Sequence, residues 1–203
     1  RADVVPLNIN GDIKATVTLL NTDTLDRTLD VNLRVFNAAI DSFNIATEFS
    51  YQLVGTPVSV SGVTQTAISA QRDSTRAWRT TITVPNPRLW SPRNPNLYIL
   101  KATISRGGVV LDEFVTQFGI RTVRTSGDKF LLNDRPIFMP GIARHEDHPV
   151  YGRSMPKSVI YNDLKQIKSF NVSMLRTGHY PNSPYTYLIA DRLGLAVVEE
   201  IPV

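Results

Sequence analysis

The chain has 203 residues, of which 42% are hydrophobic and 20% charged, a composition typical of a folded globular protein with its own core. Its 22 basic and 18 acidic residues are interspersed, so the formal charge of +4 comes without the basic stripe that marks a nucleic-acid-binding protein. The absence of cysteine excludes disulfides, thiol catalysis and cysteine-bound metal, but leaves the cellular compartment open. No apolar run approaches the roughly 20 residues of a membrane span, so we expect neither a nucleic acid nor a membrane as a partner.

Residues 1 to 119 show the two-residue period of half-buried β-strands. In the run VNLRVF, Val31, Leu33 and Val35 share one face of the predicted strand. Further runs of this kind occupy 13–20, 78–84, 97–105 and 109–117. Turn-rich stretches such as NTDT and SRGG separate them, and no helical period interrupts them. Roughly seven strands over about 100 residues predict an immunoglobulin-like β-sandwich.

From residue 120 onward the sequence alternates between short apolar strands and amphipathic helices. The predicted strands are 136–142, 172–176 and 195–200, and the predicted helices are 156–170 and 183–194. In the first helix Ile160, Leu164 and Ile167 share one face, and in the second Ser183 is the expected N-cap and Gly194 the expected stop. This alternation predicts a parallel α/β unit with right-handed crossovers.

Two of the three histidines lie in the loops that follow the first two of these strands. His145 belongs to RHEDHP and His179 to RTGHYP. Because neighbouring parallel strands end at the same edge of a sheet, we expect both imidazoles at one edge, where such folds gather their binding groups. The alternative is that each is a loop histidine with a local hydrogen bond.

Five segments carry a resemblance to a known family. They read LWSPRNPNLY (89–98), FGIRTV (118–123), GIARHEDHP (141–149), RTGHYP (176–181) and ADRLGLAVVEE (190–200). In order and spacing they resemble glycoside hydrolase family 2, the family of β-galactosidases, β-glucuronidases and β-mannosidases. The resemblance implies that 1–119 is the family's immunoglobulin-like domain. It also implies that 120–203 is a truncated start of its catalytic (β/α)₈ barrel, with the first three strands and two helices.

The resemblance also implies roles for individual residues. His145 and His179 match histidines that line the subsite of the sugar being cleaved. Arg176 matches an arginine that steadies the nucleophile, and Glu200 matches an acidic position with a supporting role. The family usually has other residues at Ala143, Ser173 and Gly178. These departures indicate a divergent member and leave its sugar open.

The catalytic carboxylates are expected outside this chain. A retaining glycosidase needs two carboxyl groups about 5 to 5.5 Å apart. Glu199 and Glu200 are neighbours in a predicted strand and would point to opposite faces. By resemblance, both catalytic glutamates lie beyond Val203. We therefore expect part of a retaining exo-acting β-glycosidase, with β-galactosides favoured over β-glucuronides or β-mannosides, and no activity in the chain itself.

The expected partner is a carbohydrate, and homo-oligomers can form through exposed edges of the barrel strands. We expect no cofactor and no metal in this chain, while a divalent cation in the full-length enzyme stays open. Two alternatives remain. One is a metal site built from His145, Glu146, His148 and His179. The other is a non-catalytic carbohydrate-binding or adhesive β-sandwich module.

Overall fold

A computed structural model describes residues 1–39 and 52–201 of the chain. The chain divides into two compact units. In the described part, the first unit comprises 1–39, 52–88 and 97–122, and the second comprises 89–96 and 123–201. Within this part of the chain, neither helix has the length and apolar character needed to cross a membrane.

The first unit is built from antiparallel strands. They are β1 (Ala2–Pro6), β2 (Asp12–Asn21), β3 (Arg27–Ala39), β4 (Gln52–Val54), β5 (Ser61–Gly62), β6 (Gln65–Ala70), β7 (Ser74–Thr83), β8 (Tyr98–Arg106) and β9 (Val109–Phe118). One sheet has the strand order β1-β2-β7-β5 and the other has the order β4-β3-β8-β9, with β6 also paired to β3. The described residues of this unit contain no helix. The prediction of a strand-rich first part is confirmed.

The core of this unit follows the predicted alternation along β3. Val31, Leu33 and Val35 are almost completely buried. Their cross-strand partners in β8 are Ile104, Ala102 and Leu100, which are buried as well. Each of the valines, leucines and isoleucines in this set contributes about 1.5–3 kcal/mol when its apolar surface leaves water. Asn32 and Arg34, which lie between them, remain in contact with solvent, so along this stretch of β3 one face carries the core.

The second unit contains two small sheets and two helices. Its elements are β10 (Val123–Ser126), β11 (Lys129–Leu132), β12 (Arg135–Pro136), β13 (Gly141–Arg144), α1 (Lys157–Ser169), β14 (Met174–Thr177), α2 (Pro184–Leu193) and β15 (Ala196–Val198). Strands β10, β11 and β12 form an antiparallel sheet that the sequence did not predict. Strands β13, β14 and β15 form the predicted parallel sheet in that order.

The first predicted strand of this unit was misplaced. Residues 136–142 do not form one strand, because β12 ends at Pro136 and β13 begins only at Gly141. Pro136 and Pro140 have no backbone N–H to donate to a ladder, which accounts for the interruption. The third predicted strand, 195–200, was too long at both ends, since β15 covers only Ala196–Val198.

Both helices pack as predicted against the parallel sheet. The buried face of α1 carries Ile160, Leu164 and Ile167, which share a cluster with Leu175 of β14 and Ile189 of α2. Such an apolar face, rather than intrinsic helix propensity, supplies most of the stability of a helix of this length.

The two ends of α2 also match the prediction. The Ser183 hydroxyl accepts a hydrogen bond from the N–H of Tyr185, and Gly194 adopts the left-handed conformation at the C-terminal end.

Candidate functional site

The two histidine-bearing loops start side by side at one edge of the parallel sheet. The β13–β14 register pairs Arg144 with Thr177, the last residues of their strands. Just beyond them, the N–H of Gly178 donates to the carbonyl of Arg144 at 3.0 Å. The loops therefore leave the sheet together, as the parallel topology predicted.

His145 and His179 lie in contact at this edge. Their ring centroids are 5.3 Å apart with the rings nearly perpendicular, at 79°. Both side chains are exposed. A Cβ atom at Gly178 would lie 3.7 Å from Nε2 of His145, an ordinary van der Waals distance, so a small side chain would fit beside the histidine pair. Tyr180 adds a third ring, 6.5 Å from His145.

Glu200 joins His179 to Arg176. One carboxylate oxygen lies 2.9 Å from Nδ1 of His179, and the other is paired with the guanidinium of Arg176. Nη2 of Arg176 is also 3.2 Å from the same Nδ1. The hydrogen bond from His179, followed by those from Arg176, lowers the pKa of the Glu200 carboxyl against the opposing effect of burial. A carboxylate that accepts from Nδ1 favours the tautomer in which Nε2 is free to accept a hydrogen bond.

Glu199 has a different partner from its neighbour. Its carboxylate accepts from the hydroxyl of Tyr187 at 2.8 Å, and that hydroxyl accepts from the N–H of Asn182 at 2.8 Å. Burial, followed by donation to Glu199, raises the pKa of Tyr187 to about 12. Both glutamates lie beyond the end of β15 rather than in the predicted strand, yet they engage separate partners.

Four buried polar side chains beside the histidine pair were not predicted as a group. They are Arg144, Glu146, Asn182 and Thr186. Only Thr186 carried a sequence signal, because it is polar on the same face of α2 as apolar Ile189 and Ala190. The others are recognisable only from partners distant in the sequence.

The alternative metal site is not assembled. Nδ1 of His148 accepts from the N–H of Val150 at 3.1 Å, and its ring lies 5.0 Å from that of Tyr151. The Glu146 carboxylate is buried against α2. Within residues 1–39 and 52–201, no three side chains of the metal-binding types converge on a position where an ion could be held.

Comparison with protein families covers nearly the whole chain. Residues 8–121 match the model described as glycosyl hydrolases family 2. Residues 123–203 match the model described as glycosyl hydrolases family 2, TIM barrel domain. The boundary between the two matches lies close to residue 120, where the strand-only pattern of the sequence gives way to alternating strands and helices.

Solved structures agree with these matches. The chain superposes on a protein of Bacteroides fragilis provisionally assigned as a β-galactosidase, with a TM-score of 0.82 and 24% identity. It also superposes on a family 2 β-galacturonidase from Eisenbergiella tayi bound to galacturonate (0.79, 26%) and on a β-glucuronidase from Ruminococcus gnavus (0.68, 29%).

These alignments cover 98–100% of this chain but only 28–32% of the length of the three proteins. The histidine-bearing edge thus lies in a segment whose family is shown by sequence and whose fold is shared with solved members. The chain belongs to glycoside hydrolase family 2 and carries its sandwich domain and the first part of its TIM barrel.

Proposed function

We propose that this chain forms one side of the sugar-binding site of a retaining, exo-acting β-glycosidase. In this proposal His145 and His179 hydrogen-bond hydroxyl groups of the sugar being cleaved. The observation that carries it is the contact of the two exposed imidazoles at the carboxyl edge of the parallel sheet, 5.3 Å between ring centroids. A neutral imidazole offers one donor and one acceptor, which suits a sugar hydroxyl. Such hydrogen bonds can strengthen in an oxocarbenium-like transition state.

Arg176 and Glu200 support this site rather than contact the sugar. Glu200 accepts from His179 and is ion-paired with Arg176. In the whole enzyme, the planar fork of Arg176 is suited to hold a nucleophilic carboxylate by two parallel hydrogen bonds. We also propose an immunoglobulin-like domain over residues 1–119 and a (β/α)₈ barrel that begins at about residue 120.

We favour β-galactosides as substrates, with β-glucuronides and β-mannosides as alternatives. The relatives named above act on or are assigned to galactosides, galacturonides or glucuronides. All of these are β-linked pyranosides, so a site that reads ring hydroxyls serves each of them.

The isolated chain is expected to bind sugar without hydrolysing it. Three of its carboxylates at this edge are already engaged: Glu146 with α2, Glu199 with Tyr187, and Glu200 with Arg176 and His179. By the resemblance described above, none of them occupies the position of a catalytic glutamate of the family. Loss of general acid catalysis alone costs about 10²- to 10⁴-fold in rate.

The test combines a rate assay with a binding assay on the purified 203-residue chain. Chromogenic β-galactoside, β-glucuronide and β-mannoside should show no turnover. In NMR spectra, galactose should shift the imidazole signals of His145 and His179 but not those of His148, the third histidine. His148→Ala is the matched control for His145→Ala and His179→Ala, which should abolish the shifts.

Two results would overturn this proposal. Turnover that disappears in Glu199→Gln or Glu200→Gln would make one of these residues catalytic. Sugar binding that survives in both His145→Ala and His179→Ala would instead favour a non-catalytic carbohydrate-binding module on the sandwich.

A further inference from the structure

The residues around His145 alternate between buried and exposed. Arg144 and Glu146 are each only 6% exposed, whereas His145 and Asp147 lie at the surface. An extended chain places successive side chains on opposite sides, so the exposed imidazole is flanked by two buried charges. Burying an ionised group is costly unless it is paired and hydrogen-bonded. The partners of these two charges therefore determine where the loop can lie.

The Glu146 carboxylate is held at the start of α2. One oxygen accepts from the N–H of Ser183 at 2.6 Å, and the other accepts from the hydroxyl of Thr186 at 2.8 Å. Ser183 is the N-cap residue, so the carboxylate binds a backbone donor at the positive end of the helix. The guanidinium of Arg144 lies 3.6 Å from the same carboxylate.

The backbone of Glu146 is held by the loop that carries His179. The hydroxyl of Tyr180 accepts from the N–H of Glu146 at 3.0 Å and lies 3.2 Å from its carbonyl, to which it can donate. Tyr180 follows His179 directly in the sequence. Main chain and side chain of Glu146 are thus both bound to the segment from Tyr180 to Thr186.

Arg144 provides a second attachment on the other side of His145. Its guanidinium donates to the side-chain oxygen of Asn182 at 3.2 Å and to Asp163 of α1 at 2.5 Å. His145 is therefore attached on both flanks to the segment that follows His179, and through Arg144 to α1 as well.

We propose that Glu146 is a positioning residue of the sugar site, which sets His145 edge-on to His179 through its hydrogen bonds to Ser183 and Thr186. The functional consequence depends on the role proposed above for the histidine pair. The claim that Glu146 positions His145 does not depend on that role, because it concerns only the position of the His145 imidazole relative to that of His179. Glu146 does not contact the sugar in this arrangement.

Thr186→Val is the most specific variant, because it replaces the hydroxyl that donates to Glu146 with a methyl group of similar size and changes nothing else. Thr186→Ser restores a hydroxyl at the same position. Glu146→Leu keeps a side chain of similar size but removes both acceptor oxygens. Asp147→Asn is the matched control on the exposed side of His145.

The readout is the nuclear Overhauser effect between ring protons of His145 and His179, measured on the 203-residue chain without sugar. We expect it in the unmodified chain, in Asp147→Asn and in Thr186→Ser, and we expect its loss in Thr186→Val and Glu146→Leu. Galactose should then shift the His145 signal less in Thr186→Val than in the unmodified chain, while the His179 shift persists.

An unchanged Overhauser effect in Thr186→Val would overturn this inference, even if the variant unfolds at a lower temperature. Its absence from the unmodified chain would overturn it as well. If Glu146→Leu does not fold, the Thr186→Val and Thr186→Ser pair decides the question alone. If the unmodified chain shows the Overhauser effect but galactose shifts neither histidine signal, the proposed sugar site is contradicted. The positioning role of Glu146 would still hold.

Discussion

Glu200 makes two contacts that hold side chains of the site in place, one with His179 and one with Arg176. It accepts from His179 and pairs with Arg176, and its own N–H donates to the hydroxyl of Thr177 at 3.1 Å. These partners favour the ionised carboxylate, which is why its pKa is lowered from the ordinary value of 4.5. Acid should therefore weaken this edge of the sheet before it affects the apolar cores.

The first prediction concerns Glu200→Gln and pH. A lowered pKa in the folded state means that the contribution of Glu200 to stability is fully present above its unfolded value near 4.5. That contribution is lost as the pH falls through the folded value. The melting temperature of Glu200→Gln should lie below that of the unmodified chain at pH 7, and the gap should narrow as the pH is lowered below 4.5 toward 3.

Thermal unfolding followed by circular dichroism over this pH range measures the gap. Gln166→Ala, an uncharged and exposed position on α1, serves as the control, and its gap should not depend on pH. A Glu200→Gln gap that stays constant down to pH 3 would contradict the prediction.

At the scale of elements, the end of α2 is bound to the segment 89–96. The indole N–H of Trp90 donates to the carbonyl of Asp191 at 2.8 Å, and the Trp90 side chain is buried. The ammonium of Lys168 donates to the carbonyls of Pro92 and Gly194 at 3.0 and 2.7 Å. These contacts bring the backbone of Pro92 close to Gly194, so the glycine is required for space as well as for its conformation.

The second prediction compares two glycines with positive φ. At Gly194 (φ +74°), a Cβ atom would overlap the carbonyl oxygen of Pro92, whereas at Gly127 (φ +58°) no atom lies within 4 Å. Gly127→Ala should cost about 1 kcal/mol of unfolding free energy, the strain of a left-handed alanine. Gly194→Ala should cost about 3 kcal/mol or more, because the backbone of Pro92 must also move.

Urea denaturation followed by tryptophan fluorescence gives both free energies. Gly127→Ala is the control for backbone strain without crowding. Equal losses in the two variants would show that the contact with Pro92 does not restrict Gly194.

At the scale of the whole molecule, the parallel sheet has outer strands with exposed apolar side chains. Within the described residues, β13 and β15 each pair only with β14. Ile142 on β13 is 40% exposed and Val198 on β15 is 49% exposed. Unpaired N–H and C=O groups beside apolar side chains are a template for pairing with another chain.

The third prediction is that the 203-residue chain associates through these strands. A lysine on an outer strand opposes such pairing, so Val198→Lys should shift the chain toward the monomer. Multi-angle light scattering across a concentration series measures the change. Leu25→Lys is the matched control, since Leu25 is 57% exposed and lies outside every strand. An unmodified chain that stays monomeric at all concentrations would contradict this prediction.

The sequence by itself determined the local periods and their direct structural consequences. The alternation at Val31, Leu33 and Val35 depends only on the two-residue repeat of a strand, and the ends of α2 depend on the cap chemistry of Ser183 and Gly194. The parallel topology then required the loops with the two histidines to share one edge. These features need no knowledge of distant contacts, which is why pattern and resemblance sufficed.

Only the tertiary structure decided which polar groups are partners. Glu146 meets Thr186 forty residues further along the chain. Glu200 meets His179 and Glu199 meets Tyr187, although the two glutamates are sequence neighbours. Such pairings depend on strand register and on how the helices pack, and residues far apart in sequence leave no periodic signal. The buried hydrogen bonds that hold the histidine pair became visible only once the loops and α2 had been placed in space.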